Sequence, residues 1–349
     1  MFSVDQSGYI LEGSMAHLLD DKTILVTGGT GSFGHCFTSY VLDNFNPRKV
    51  IVYSRDEFKQ FNMQQEYAHY KGNKLRFFIG DVRDGARLER AMEGVDYVIH
   101  AAALKQVPAC EYNPSEAIKT NINGAQNVID AALNTGVKRV VALSTDKAVN
   151  PVNLYDGTKL VSDKLFIAAN AYAGAKDINF SIVRYGNVAG SRGSIIPVFK
   201  AAIERGEKEL PVTDRRMTRF WISLPQGVEL VLKALAEAKG GETFISKIPS
   251  FRIPDLVEAM APGCGIKEIG IRPGEKLDEV MVTPEDAPNT WEYEDSYVIY
   301  PQVIFNEWQT PAPGGKKVPE GFSYNSGNNT EWLSVEDLRE RLKTDVAAH

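Results

Sequence analysis

The sequence predicts an α/β fold, a doubly wound parallel sheet followed by a smaller, irregular C-terminal lobe. Three observations predict it. Short, continuously apolar runs alternate with stretches long enough for crossover helices, the pattern of strands covered on both faces. The first run opens directly into a glycine-rich turn. After about Arg184 the alternation loosens, and glycine and proline become frequent. A chain of 349 residues is long enough for one large domain and a smaller one.

Taken in order, residues 1–20 have neither the basic start nor the long apolar stretch of a signal peptide. They read as a tail, with Met15 as an alternative start. The strands are Lys22–Thr27, Lys49–Tyr53, Leu75–Ile79, Tyr97–Ala101, Arg139–Ser144 and Ile178–Arg184. Residues 21–185 thus form the first domain. Residues 186–349 form mainly a second lobe, with helices expected at Ile195–Arg205, Leu224–Ala238 and Ile253–Ala261. Gly241–Ile245 is the segment expected to return to the first domain. A last helix, Ser334–Leu342, carries Ser334 as N-cap and Asp337 three residues on.

Composition narrows the class. Apolar residues make up 43% and charged residues 24%, which excludes global disorder. No apolar run approaches the ~20 residues of a membrane span. The net charge of -6 gives no support for nucleic-acid binding. Cys36, Cys110 and Cys264 are widely spaced and odd in number, so they form neither a metal pattern nor a full disulfide set. A reducing cytoplasm is the simplest setting.

The glycine-rich turn reads TGGTGSFG over residues 27–34. Gly29, Gly31 and Gly34 fit G-x-G-x-x-G, and Gly28, Gly31 and Gly34 fit a looser spacing. Such a turn lets backbone approach a pyrophosphate, and the next helix offers its free N–H groups. Between a strand and a helix, it makes the fold Rossmann-like, with Gly28, Thr30, Gly31, Ser32, Phe33 and Gly34 around the phosphates. The tip of the second strand selects the dinucleotide. Ser54, Arg55 and Lys59 suit a 2′-phosphate and favour NADP, whereas Asp56 has the spacing of an NAD-binding acid. Asp81 and Val82 follow the third strand, on the adenine side. Ala101, Ala102 and Ala103 follow the fourth, on the nicotinamide side.

The fifth strand ends in Ser144-Thr145-Asp146-Lys147, and Tyr155 and Lys159 follow on one helix face. A cationic Lys159 beside Tyr155 is expected to lower the phenol pKa and make it a base.

With these motifs the chain resembles the extended short-chain dehydrogenase/reductases of the nucleotide-sugar type. More narrowly, it is similar to the inverting UDP-N-acetylglucosamine 4,6-dehydratases that begin pseudaminic acid synthesis. The likeness rests on TGGTGSFG (27–34), VYSRDEFKQ (52–60), GDVRD (80–84), HAAALKQVP (100–108), STDKAVNP (144–151), YDGTK (155–159), RYGNVAGSRGS (184–194), TDRRMTRFW (213–221) and GIRPGEK (270–276). Two departures are Asp156, where relatives carry glycine, and Gln106, where histidine is common. The resemblance implies that Tyr155 takes the 4-hydroxyl proton while hydride passes from C4 to NADP. Lys147 then acts at C5 and Asp146 helps the C6 oxygen leave as water. Hydride returns to C6, and C5 is reprotonated on the opposite face. As a base Lys147 must be neutral, so burial or a cation such as Lys159 is expected to lower its pKa.

The resemblance also assigns Lys105 to both cofactor and substrate, and Thr120, Val188 and Arg192 to the cofactor. Asn187, Ile195, Thr213, Arg272 and Glu275 go to UDP-N-acetylglucosamine. A homo-oligomer, dimer or hexamer, is implied as well. The cluster Arg215, Arg216 and Arg219 suits phosphate or a subunit contact equally. The neighbouring reading is a dehydratase/5-epimerase serving N-acetylfucosamine or capsule synthesis. A simple 4-epimerase sits poorly with Asp146-Lys147. A redox-sensing NADP-binding scaffold is the non-enzyme reading, against which the chain keeps Tyr155 and Lys159.

Overall fold

A computed structural model describes residues 15–70, 72–190, 194–271, 275–302 and 311–345. Six strands build the first part: β1 (Thr23–Thr27), β2 (Lys49–Ser54), β3 (Leu75–Ile79), β4 (Tyr97–His100), β5 (Arg139–Thr145) and β6 (Asn179–Tyr185). They run parallel in the order β3-β2-β1-β4-β5-β6. That order places a crevice at the carboxyl ends of β1 and β4, where the winding reverses. Successive side chains serve opposite faces. Ile24, Val26, Ile99 and Val141 enter one core, while Leu25, Val98, Val140 and Ala142 enter the other. Two covered faces are why these strands read as unbroken apolar runs.

The same sheet then takes strands from the C-terminal half. Thr243–Ser246 pairs parallel to β6, and Ser296–Ile299 pairs antiparallel to Thr243–Ser246. Thr290–Glu292 and Lys316–Lys317 extend the sheet to ten strands. The return expected at Gly241–Ile245 is found two residues later, and it brings three further strands that alternation alone did not signal. The Leu224–Glu237 helix, expected in the second lobe, packs Val228, Val231 and Leu235 into the core beside β1 instead. A separate core holds the rest of the C-terminal region, including Phe199, Leu210, Trp221, Phe251, Leu256 and Leu338.

The expected tail is corrected at its end. Leu19 is fully buried, and Asp20 accepts from the Asn46 backbone N–H at 2.9 Å. Among the described residues, no helix is long and apolar enough to cross a membrane.

Candidate active site

The crevice at the strand ends is an open cleft of about 580 Å³. Its floor is the turn between β1 and helix α1 (Ser32–Asn44). Gly28 has φ +66°, and a Cβ there would lie 2.9 Å from the Ala102 backbone. A Cβ on Gly34 would lie 2.2 Å from the Gly29 carbonyl oxygen, so helix and turn touch through backbone. Helix α1 starts without a capping side chain and has no acid in its first turn. Its leading N–H groups and positive dipole end therefore face the cleft, ready for an anion. Thr120 adds a buried hydroxyl on the cleft wall with no hydrogen-bond partner among the described residues. These features fit a dinucleotide: a cradle that a Cβ would fill, and a polar atom awaiting a partner.

At the tip of β2, Asp56 is already engaged. It caps helix α2 (Glu57–Glu66), accepting from the Lys59 N–H at 2.9 Å, and that hydrogen bond holds its carboxyl below the usual range. Lys59 Nζ lies 3.3 Å from the same carboxylate. Ser54 and Arg55 line the cleft, with Arg55 3.7 Å from Asp81. The Asp81 carboxylate is gripped by Arg83 at 2.7 Å. Val82 and Ala101–Ala103 complete this wall.

The reaction end is built from β5 and the helix Leu154–Tyr172. Asp146–Ala148 form one tight turn as β5 ends. Lys147 Nζ donates to Asp146 Oδ1 at 3.1 Å and to Asn187 Oδ1 at 3.2 Å. Asp146 is 4% exposed, so this is no solvated surface pair. Tyr155 and Lys159 stand on the same cleft wall as Lys147. Asn153 caps the helix by accepting from the Asp156 N–H at 3.0 Å. Asp156 therefore leaves the helix start intact, and an acid in the first turn suits the dipole.

Two electrostatic expectations are corrected. Burial drags the Lys147 ammonium down, but the carboxylates of Asp146 and Glu279 push it up further, and it ends above the ordinary lysine range. The cation opposing them is Arg219, not Lys159. Tyr155 is likewise raised, by burial first and then by Asp146 and Asp156. Lys159 is lowered by burial, and its ammonium donates to the Leu143 carbonyl at 2.8 Å.

With this geometry in view, comparison with known proteins identifies the family. The profile of the polysaccharide biosynthesis protein family matches residues 24–301. The chain belongs to that family. A UDP-N-acetylglucosamine 4,6-dehydratase (inverting) from Campylobacter jejuni is 56% identical over 93% of this chain and 98% of the relative. A UDP-glucose 4-epimerase from Rickettsia canadensis is 43% identical over 93% and 96%. Among solved structures, Pen from Bacillus thuringiensis matches with TM-score 0.85 at 40% identity, over 93% of this chain and 98% of that one. The dTDP-glucose 4,6-dehydratase DesIV from Streptomyces venezuelae, with NAD and TYD bound, matches with TM-score 0.64 at 25% identity, over 73% and 86%.

Within this member of the polysaccharide biosynthesis family, the expected residues divide into three groups. The cofactor set from Gly28 to Val188 lines the cleft, as do Lys105 and Asn187. Lys105 is lowered by partial burial and by the Lys147 charge. Ile195 and Thr213 are absent from the cleft wall, and Ile195 packs on the C-terminal core because its side chain is apolar. Glu275 is not on that wall either. Arg192 and Arg272 lie outside the described residues. The arginine cluster is dispersed: Arg216 binds Asp214 at 2.7 Å, Arg215 reaches the Ile266 carbonyl, and Arg219 lies 3.5 Å from Glu279. The residue that sequence reasoning missed is Glu279. It has no motif of its own and joins the site only through tertiary folding.

Proposed function

We propose that this protein is an NADP-dependent, C5-inverting UDP-N-acetylglucosamine 4,6-dehydratase, acting at the first step of pseudaminic acid synthesis. The observation that carries the reading is Lys147, which shares the cleft wall with Tyr155 and Lys159 and is held by Asp146, itself buried and not on that wall. The 56% identical relative named as an inverting dehydratase supports it. So does the capping role of Asp56, which leaves Ser54 and Arg55 to meet a 2′-phosphate. The reading carries with it a cytoplasmic setting and a homo-oligomer, dimer or hexamer.

Bound in the cleft between the Gly28–Gly34 turn and Lys159, a nicotinamide dinucleotide would supply the hydride acceptor for C4 of the sugar and the hydride donor for C6. Tyr155, after giving up its own proton, takes the 4-hydroxyl proton, and the resulting ketone acidifies C5. Lys147, once it has given up its proton, takes the C5 proton as an amine and passes it to the C6 oxygen, which leaves as water as the C6–O bond breaks. A new proton then reaches C5 from the opposite face. Lys147 enters this sequence as an ammonium ion, suited to protonate the departing C6 oxygen or C5. To act as base at C5 it must first give its proton away.

The test is incubation with UDP-N-acetylglucosamine in heavy water. Loss of one water, with deuterium at an inverted C5, is the expected product by mass spectrometry and proton NMR. A further stereoisomer points to the dehydratase/5-epimerase. An isomer of unchanged mass supports a 4-epimerase, the activity named for the 43% identical relative. Cofactor binding without turnover of any UDP-sugar leaves the scaffold reading.

A further inference from the structure

Behind the cleft wall, polar groups from both halves of the chain form one connected set. Lys147 Nζ donates to Asn187 Oδ1, and the Asn187 amide nitrogen donates to Glu279 Oε1 at 2.5 Å. That oxygen lies 3.9 Å from Lys147 Nζ and 3.5 Å from Arg219 Nε. Glu279 Oε2 accepts from the Phe220 N–H at 3.2 Å. The Glu279 side chain is 5% exposed and is not on the cleft wall. Two carboxylates, Asp146 and Glu279, thus stand against Lys147 and Arg219, with Lys276 a third cation within reach of both.

The backbone of Glu279 is fixed from both sides. Its N–H donates to Ser326 Oγ at 2.9 Å, and the Ser326 N–H donates to its carbonyl at 2.8 Å. Lys276, three residues earlier, reaches the Val149 carbonyl at 2.6 Å, just past the Asp146–Ala148 turn. Ionised groups buried together give weak stability, because desolvation offsets their attraction. Their fixed geometry is better explained by the position it imposes on Lys147.

We propose that Glu279 is a positioning residue for the dehydration: it anchors the Lys147 ammonium and, through the Asn187 amide, fixes where that ammonium stands on the wall it shares with Tyr155. The proposal rests on the function read above. Asp146 and Lys147 face Glu279 from the turn after β5, Asn187 from beyond β6, and Arg219 with the Phe220 N–H from the Thr218–Phe220 strand. Burial raises the Glu279 carboxyl to about 7, Asp146 adds to the rise, and Lys147 and Arg219 oppose it. Neutralising Glu279 removes an anion beside Lys147, which then gives up its proton more easily.

Glu279→Gln removes the charge at nearly constant size, and Glu279→Asp keeps the charge with a shorter reach. With UDP-N-acetylglucosamine, E279Q is expected to lose about tenfold or more in kcat, with KM within about twofold. The limb of its kcat–pH profile set by Lys147 moves lower by about one unit. That direction is the same whether the reaction needs the amine or the ammonium. E279D keeps the limb in place and loses kcat. Cofactor titration by fluorescence, unchanged in both, shows that they are folded. Wild-type kcat and pH profile in E279Q would overturn the proposal. If E279Q does not fold, wild-type kcat in E279D overturns it alone. Wild-type protein inactive on the sugar nucleotide sinks the functional reading instead. Glu279 is then judged on the free protein by the Lys147 titration, followed by NMR: a lower Lys147 pKa in E279Q supports its place in the charge set, and an unmoved one overturns it.

Discussion

Lys147 meets the Asp146 and Glu279 carboxylates just past the end of β5, and removing its amine tests whether cofactor binding and chemistry part company. Lys147→Ala is expected to keep the dinucleotide, by fluorescence titration, while water loss falls about 10²–10⁴-fold. Normal turnover by that variant sinks its role. Tyr155→Phe, measured the same way, should lose a similar factor with binding retained. A different residue contributes to the acid sensitivity of the fold. His100 is fully buried against Phe166, with Nδ1 2.8 Å from Thr27 Oγ1. Burial, helped by the Lys159 charge, lowers its pKa from 6.5 to about 3. The unfolded chain therefore binds the extra proton first. Its contribution to stability is full above about pH 6.5 and is lost as pH drops towards 3, by up to ~1.4 kcal/mol per unit. Thermal melts of His100→Gln should show a shallower acid decline, and parallel curves refute this. Lys147, Tyr155 and Lys159 were legible because β5 and one helix carry them in a short, fixed spacing. The charge state of Lys147 was not, because only the fold decides that Asp146, joined by Glu279 from 132 positions downstream, outweighs its burial.

The turn between β1 and α1 is the element whose geometry admits least change. Gly34→Ala sets a Cβ against the Gly29 carbonyl, and neither partner is a flexible side chain. Cofactor affinity should fall about tenfold or more by titration, and undiminished binding would show that the turn is not the cradle. This element was readable from sequence because backbone approach leaves glycine no substitute. The last helix, Val335–Thr344, was readable for another reason. Ser334 and Asp337 bond reciprocally across its start. Ser334→Ala should cost about 1 kcal/mol in chemical denaturation. The strands Thr290–Glu292 and Lys316–Lys317 escaped notice, since pieces of two or three residues carry no period to read.

At the scale of the whole molecule, the sequence suggested a boundary near residue 185, but the sheet runs straight across it. Phe244 and Ile245 lie in the same core as Ile24 and Val183. A chain ending at residue 240 should therefore show no cooperative melt by circular dichroism, because β6 would be left as an open edge over an unfilled core. A cooperative transition in that fragment would restore the simpler two-part division. The irregular spacing of the C-terminal strands hid this from sequence, because each finds its partner only once β6 is in place. The ribosome makes the parts in a telling order. The dinucleotide cradle is translated first, and the acid that steadies Lys147 comes near the end. A half-made chain lacks both the strands that complete the sheet and the acid beside Lys147, so the fold holds back its whole site until synthesis is nearly over.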